Sequence, residues 1–449
     1  MHSPVMPDHP TWTGAAEFGK VVPALPAGPT WVRDRCSHGS RRSRVGRSRN
    51  RRYGLGGALS ALLVTLAGCS VVANESEPEP VRIAADLQLT GDGSALGTVY
   101  RNALQLRVEQ VNQLGLLGDR RLELEVHDNR SDPATSTANI ERLAAEPDLA
   151  ALITGGCGEC VVSAVDAINT RGMPTIALAA PTNVSSPVGE RPFLFKLGPN
   201  ANHNAFALTA ALAAADVETI GLVTTGDQYG EDGLAEMTDA AVRPNIEIVV
   251  HEQVGGGADL AAAAGRIAGH DPDSGILLDP DAEQLGPDAV VVWTSAALAG
   301  ETAASLRDAG YDGPLYLDAG AAGDLFLAGA SRDALAGATL VFTETLVMDE
   351  VVATSPAKAA RKTWFRDYTA QFGTYHAYSS FAADAVALVV DGVNRAGGTD
   401  RAQLRDTIET TQLDGLTGQL RLTQSQHSAL AARALTLVTV RGDRWRLGG

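Results

Sequence analysis

The feature that most constrains this chain is a rhythm of short β-type runs alternating with Ala/Leu-rich helical stretches, and the rhythm occurs twice. In the first series, residues 81–85, 122–126, 149–154 and 175–179 read as strands. Residues 103–112, 135–145 and 161–170 read as helices, with Leu104, Val108 and Val111 on one face of the first. The second series places strands at 219–224, 246–251, 289–293 and 315–317, with helices at 233–241, 260–268 and 302–309. Strands separated by helices predict parallel pairing, so two such series predict two α/β lobes with parallel sheets. Three further helices follow at 357–372, 380–394 and 401–410, then β-rich 420–422 and 434–440. The Asp/Pro/Gly-rich stretch 269–287 predicts a surface loop.

What precedes the first strand does not read as a folded domain. Residues 33–52 carry Arg41, Arg42, Arg44, Arg47, Arg49, Arg51 and Arg52. Leu55 to Leu66 is almost wholly Leu, Ala, Gly and Val, too short to span a bilayer but suited to the apolar core of a secretory signal. The run closes on Leu66-Ala67-Gly68-Cys69, which resembles the site at which bacterial lipoproteins are cleaved and the Cys thiol is joined to diacylglycerol. The expectation is a chain exported from a bacterial cell and held on the outer face of a membrane by lipid on Cys69. Residues 70–80, rich in Glu, Pro and Ser, read as a flexible leash. Residues 1–44 sit oddly before a signal peptide, and Val45 is a candidate for the true translation start.

Charge narrows the partners. The full chain has 36 basic and 53 acidic residues, a net charge of −17, and the leader holds a disproportionate share of the arginines. So acidic a surface argues against nucleic-acid backbones. Of four cysteines, Cys36 falls in the leader and Cys69 is the lipid site, leaving Cys157 and Cys160. Their Cys-x-x-Cys spacing reads as a local disulfide stiffening a loop, with free thiols as the other reading. Asp279, Asp281 and Glu283 alternate like calcium ligands but lack the glycine of an EF-hand loop, so a solvated acidic loop is expected. Gly91-Asp92-Gly93 followed by Gly97 misses the spacing of a dinucleotide loop. Neither HExxH nor Gly-x-Ser-x-Gly occurs, and the expectation is a non-enzyme without metal or cofactor.

A series of short motifs then runs in order through the chain. It comprises Thr90-Gly91 with Gly97, Asp128 with Asp132-Pro133, and Leu152 to Gly156. Pro174-Thr175-Ile176 with Ala179-Ala180, Asp227-Gln228-Tyr229-Gly230 and Arg307-Asp308-Ala309-Gly310 come next. Phe381-Ala382-Ala383-Asp384-Ala385, Ala396-Gly397-Gly398 and Leu416-Thr417-Gly418 complete it. Together they resemble the branched-chain amino-acid-binding (Leu/Ile/Val-binding) type of periplasmic solute-binding protein that serves ABC importers, from Val81 to about Arg446.

The resemblance implies the type I periplasmic binding protein fold, two Rossmann-like lobes joined by three crossovers with the ligand in the cleft. Crossovers are expected near 196–198, 341–345 and 413–418. The chain then divides into a leader (1–68), anchor and linker (69–80), a first lobe (81–197 and 344–412) and a second lobe (198–343 and 413–449). The resemblance places Thr90, Leu96, Cys157, Gly158, Ala179, Ala180, Thr182, Tyr229, Ser295, Asp318 and Ala319 at the ligand. It also shows departures. Gly158 stands where amino-acid binders carry Ser or Thr, Pro181 stands for a Thr, and Ser295 for an aromatic residue. The acid that would hold a ligand's ammonium falls on Ala319, with Asp318 beside it, where a continuing strand would point it to the opposite face. This leaves amino acids, amides, short acids and aromatic compounds open as ligands. The expected partners are a small polar solute, the permease subunits of an ABC importer and the membrane, with the protein a monomer. A sensor of the same fold signalling to a membrane receptor is the alternative.

Overall fold

The computed structural model describes residues 78–448, apart from 256–258, 271–285, 324–326 and 328. Cys69, its leader, most of the leash and the acidic run Asp279 to Glu283 lie outside the described residues.

Strands covered on both faces need apolar residues at nearly every position, and this decides which runs become central. In the first lobe β1 (Val81–Leu87) and β3 (Leu149–Thr154) are buried almost throughout, while β2 (Leu122–Asp128) is only partly covered. With the short β4 (Thr175–Ala177) and β5 (Leu194–Lys196) they form a parallel sheet in the order β2-β1-β3-β4-β5. Its connecting helices are α1 (Ser94–Gln113), α2 (Pro133–Ala144), α3 (Gly158–Ser163) and α4 (Val165–Arg171). Helix α1 begins nine residues before the periodic stretch expected at 103–112, because its first turns contribute only Gly97 and Tyr100 to the buried face. The helix expected over 161–170 is two, broken where Ala164 leaves helical geometry.

The second lobe repeats the plan. It runs through α5 (Ala201–Ala214), β6 (Thr219–Thr225), α6 (Gln228–Ala241), β7 (Glu247–Val254), α7 (Leu260–Ile267), β8 (Ala289–Trp293) and α8 (Ala296–Asp308). β9 (Leu315–Leu317), α9 (Gly329–Ala334) and β10 (Thr339–Thr343) follow. The chain then returns to the first lobe with α10 (Pro356–Phe372), α11 (Ser379–Ala396) and α12 (Arg401–Glu409), of which α11 packs on α1. The hairpin β11 (Gln412–Asp414) and β12 (Gln419–Arg421) precedes the antiparallel β13 (Leu435–Arg441) and β14 (Arg444–Leu447). These last strands extend the second sheet to β14-β13-β10-β9-β8-β6-β7. Among the described residues no helix is long and apolar enough to cross a membrane.

The third crossover lies later than expected. Residues 413–418 form the β11–β12 turn, and this turn stays on the first lobe. The carboxylate of Asp384 on α11, only 1% exposed, accepts hydrogen bonds from the amides of Leu416 and Thr417 (2.8 Å each) and from the Thr417 hydroxyl (2.6 Å). A buried carboxylate without donors is costly, so this turn cannot leave it. Farther on, the Lys196 amide donates to the His427 carbonyl and the Ala429 amide to the Lys196 carbonyl, both at 2.8 Å. The chain crosses only after Leu430, so residues 413–430 belong with the first lobe.

Candidate ligand-binding cleft

Open parallel sheets present their ligand sites beyond the carboxyl ends of the strands. Here the ends of β1, β3 and β4 face those of β6, β8 and β9, and the lobes touch directly. The Tyr378 hydroxyl, at the head of α11, donates to the Ala319 carbonyl of the second lobe at 2.8 Å. Its ring packs edge-on against Phe342 of β10 and Tyr100 of α1, with centroids 5.2 and 6.5 Å apart. One apolar core runs through this contact and takes in both lobes.

The wall from the second lobe is made of side chains. Asp227 caps α6, accepting from the Gly230 amide at 3.1 Å. Residue 230 must be glycine, because a Cβ there would lie 1.8 Å from the Thr225 carbonyl. This turn aims Tyr229 across the strand ends, and its hydroxyl donates to the carboxylate of Asp318. The strand β9 ends at Leu317, and Asp318 caps a 3-10 turn over Ala319–Ala321, accepting from the Gly320 amide at 2.9 Å. The strand alternation that would have turned Asp318 away therefore does not apply. Asp318 is fully buried, and its Oδ1 makes no hydrogen bond of ordinary geometry. Burial raises its pKa to about 7, against the opposing pull of the Tyr229 hydroxyl and the amides of Gly320 and Thr294. The same burial, with the Asp318 charge beside it, holds the Tyr229 hydroxyl well above its ordinary pKa. Ala319 is buried and contributes its carbonyl to Tyr378, while Ser295, at the head of α8, is exposed. Trp293 packs behind Tyr229 at 6.0 Å.

The wall from the first lobe is made of backbone and small residues. Cys157 caps α3 and is joined to Cys160 by a disulfide (S–S 2.05 Å). A Cβ on Gly158 would meet the Pro181 ring at 2.7 Å. The two departures at 158 and 181 are thus one coupled change, in which the proline ring occupies the space a Ser or Thr would need. Leu96 reaches over Gly156 toward Tyr100. Ala179 is buried, the Ala180 carbonyl accepts from Lys196 Nζ at 2.6 Å, and the Thr182 amide donates to Asp232 of α6 at 2.7 Å. Thr90 is placed differently from the rest. It is exposed, and its amide and hydroxyl go to Asp128 at the end of β2 (3.1 and 2.7 Å).

Five residues of the cleft were not anticipated: Gln88, Tyr100, Lys196, Asp232 and Tyr378. Gln88, 7% exposed at the end of β1, lies against Gly155, and its Oε1 accepts no hydrogen bond among the described residues. A single amide after a run of buried apolar positions was the signal for Gln88, and a lone lysine between Phe195 and Leu197 was the signal for Lys196. Tyr100 stands nearly two turns into α1, Asp232 one turn into α6 and Tyr378 just before α11, where spacing alone does not separate a cleft residue from a core or surface one.

Comparison with known proteins settles the family. The sequence profile described as "Periplasmic binding protein" matches residues 80–444. The chain belongs to the periplasmic binding protein family. Among solved structures, this periplasmic binding protein is similar to an extracellular ligand-binding receptor from Rhodopseudomonas palustris HaA2, with 20% identity, 82% of this chain and 99% of that one covered, and a TM-score of 0.69. It is also similar to the leucine binding protein LivK of Thermotoga maritima MSB8 (17% identity, 82% and 98% covered, TM-score 0.68). An ABC transporter substrate-binding protein from Desulfitobacterium hafniense, solved in complex with Leu, matches at 16% identity (83% and 100% covered, TM-score 0.65). No protein of curated function matches the chain in sequence. At these identities the structural likeness establishes the type I fold, with its two lobes of mostly parallel strands flanked by helices.

Proposed function

We propose that this periplasmic binding protein captures a small polar solute bearing an ammonium group, an amino acid or a related amine, and delivers it to an ABC importer. It acts as a receptor and not as a catalyst, held outside the cell by lipid on Cys69. The observation that carries the ligand class is the fully buried Asp318 carboxylate at the end of β9, braced by Tyr229 and with one oxygen making no hydrogen bond of ordinary geometry. A buried carboxylate is stabilised by a cation that it can pair with and hydrogen-bond, and a ligand ammonium supplies both. The Leu complex of the Desulfitobacterium hafniense relative supports an amino acid as the first compound to try.

A thermal-shift screen tests this reading. Leucine, isoleucine and valine are compared with their amides, with urea and with short carboxylic acids. A ligand at a hundred times its dissociation constant stabilises by about 2.7 kcal/mol. Compounds with an ammonium group are expected to stabilise the protein and to lose that effect in Asp318→Asn. Stabilisation by urea or short acids alone would overturn the assignment. For the anchor, Cys69→Ser is expected to release the protein from membranes.

A further inference from the structure

The first wall of the cleft carries a group that ligand capture does not explain. Lys196 ends β5 where the chain leaves the first lobe, and it is 1% exposed. It makes no salt bridge within 4 Å among the described residues. Its ammonium donates instead to two carbonyls, Ala180 at 2.6 Å and Pro199 at 3.1 Å. Its backbone pairs with residues 427–429, the segment that leads into the third crossover. Lys196 therefore joins two of the three crossovers and the cleft loop at one point.

The loop it holds reaches the other lobe. Two residues beyond Ala180, the Thr182 amide donates to Asp232 Oδ2 at 2.7 Å, and Gln228 steadies the other oxygen of that carboxylate at 3.0 Å. Between them stands Pro181, whose ring fixes φ at −55° and leaves the segment little freedom to reorient. Pinning the Ala180 carbonyl therefore aims the Thr182 amide. Asp232 is also the charged group that favours the protonated form of Lys196, against the burial that lowers the pKa to about 7.

We propose that Lys196 and Asp232 form a latch that keeps the lobes closed. Asp232 grips the Thr182 amide from the second lobe, and Lys196 is the positioning residue that presents the amide to it. The latch uses neither Asp318 nor the Tyr229 hydroxyl, so it stands or falls separately from the ligand assignment.

Distances between spin labels on the full chain test it, with labels at the exposed positions of E141C on α2 and D239C on α6. The unmodified latch is expected to give a dominant short distance. Asp232→Ala is expected to enlarge the long-distance population at least threefold with an unchanged melting temperature, and Lys196→Met to do the same. If Lys196→Met lowers the melting temperature, Asp232→Ala decides, because residue 232 is only partly buried on the helix surface. Superimposable distributions for Asp232→Ala and the parent, or a parent with the long distance alone, would overturn the latch.

Discussion

The two walls of the cleft are built from different material. The second lobe presents ionisable side chains, Tyr229 and Asp318, on turns set by Asp227 and Leu317. The first lobe presents a disulfide, Gly158, the Pro181 ring and main-chain carbonyls. The second wall turns ionisable side chains toward the cleft, whereas the first, apart from the buried Lys196 ammonium and the Gln88 amide, offers shape and rigidity. Substitutions at Asp318 and Tyr229 should therefore change affinity with little effect on stability, and substitutions at Gly158, Pro181 and the disulfide should do the reverse.

The largest effect is expected from Asp318→Asn, a loss of at least a hundredfold in affinity for an ammonium-bearing ligand, about 3 kcal/mol, measured by calorimetry. Its pH dependence sharpens the point. The folded pKa is raised to about 7, so the carboxylate is charged only above neutral pH. Affinity should climb as pH rises through about 7, level off above it, and become flat in Asp318→Asn. The stability sign is opposite. Folding favours the protonated acid, so this contribution is present below the unfolded pKa and is lost as pH rises through about 7.

Next comes the first wall. Gly158→Ser brings a Cβ within 2.7 Å of Pro181 and is expected to cost about 2 kcal/mol in urea unfolding. Adding Pro181→Thr should recover much of that loss, since contacting residues couple. A double mutant no better than the sum of its parts would break the claim that the two positions are one change. Replacing both Cys157 and Cys160 by Ser opens a very short loop and should cost about 2 kcal/mol at most. The smallest effect is expected from Tyr229→Phe, about 1 kcal/mol in binding with the melting temperature nearly unchanged, because one hydrogen bond to Asp318 is removed while the ring stays.

The repeated strand–helix rhythm made the lobes legible, since a buried parallel strand such as Val290-Val291-Val292 admits little else. The family motifs proved to be structural joints as much as ligand contacts. Phe381–Ala385 and Leu416–Gly418 are two ends of one joint, the Asp384 carboxylate and the amides that satisfy it. Carried over position by position, the acid expected to hold an ammonium falls on Ala319, whereas the structure buries the neighbouring Asp318 against Tyr229. The strand over 315–317 was legible, but the 3-10 turn that follows it and sets where Asp318 points carries no periodic signal. The three-residue β5 and the five-residue β10 were not anticipated. The partnership of Gly158 and Pro181 spans more than twenty residues, and nothing in either segment alone announces it.

The late third crossover has a consequence for synthesis. The first lobe lacks α10, α11, α12 and the turn that satisfies Asp384 until residue 417 is made, and the second sheet lacks β13 and β14 until residue 447. Neither lobe can bury its full core on a nascent chain, because each awaits segments coded near the far end of the message. Contacts this distant in sequence form slowly. A growing chain of this design cannot complete either core until its last segments are made, which favours passage through a narrow pore before the final fold forms.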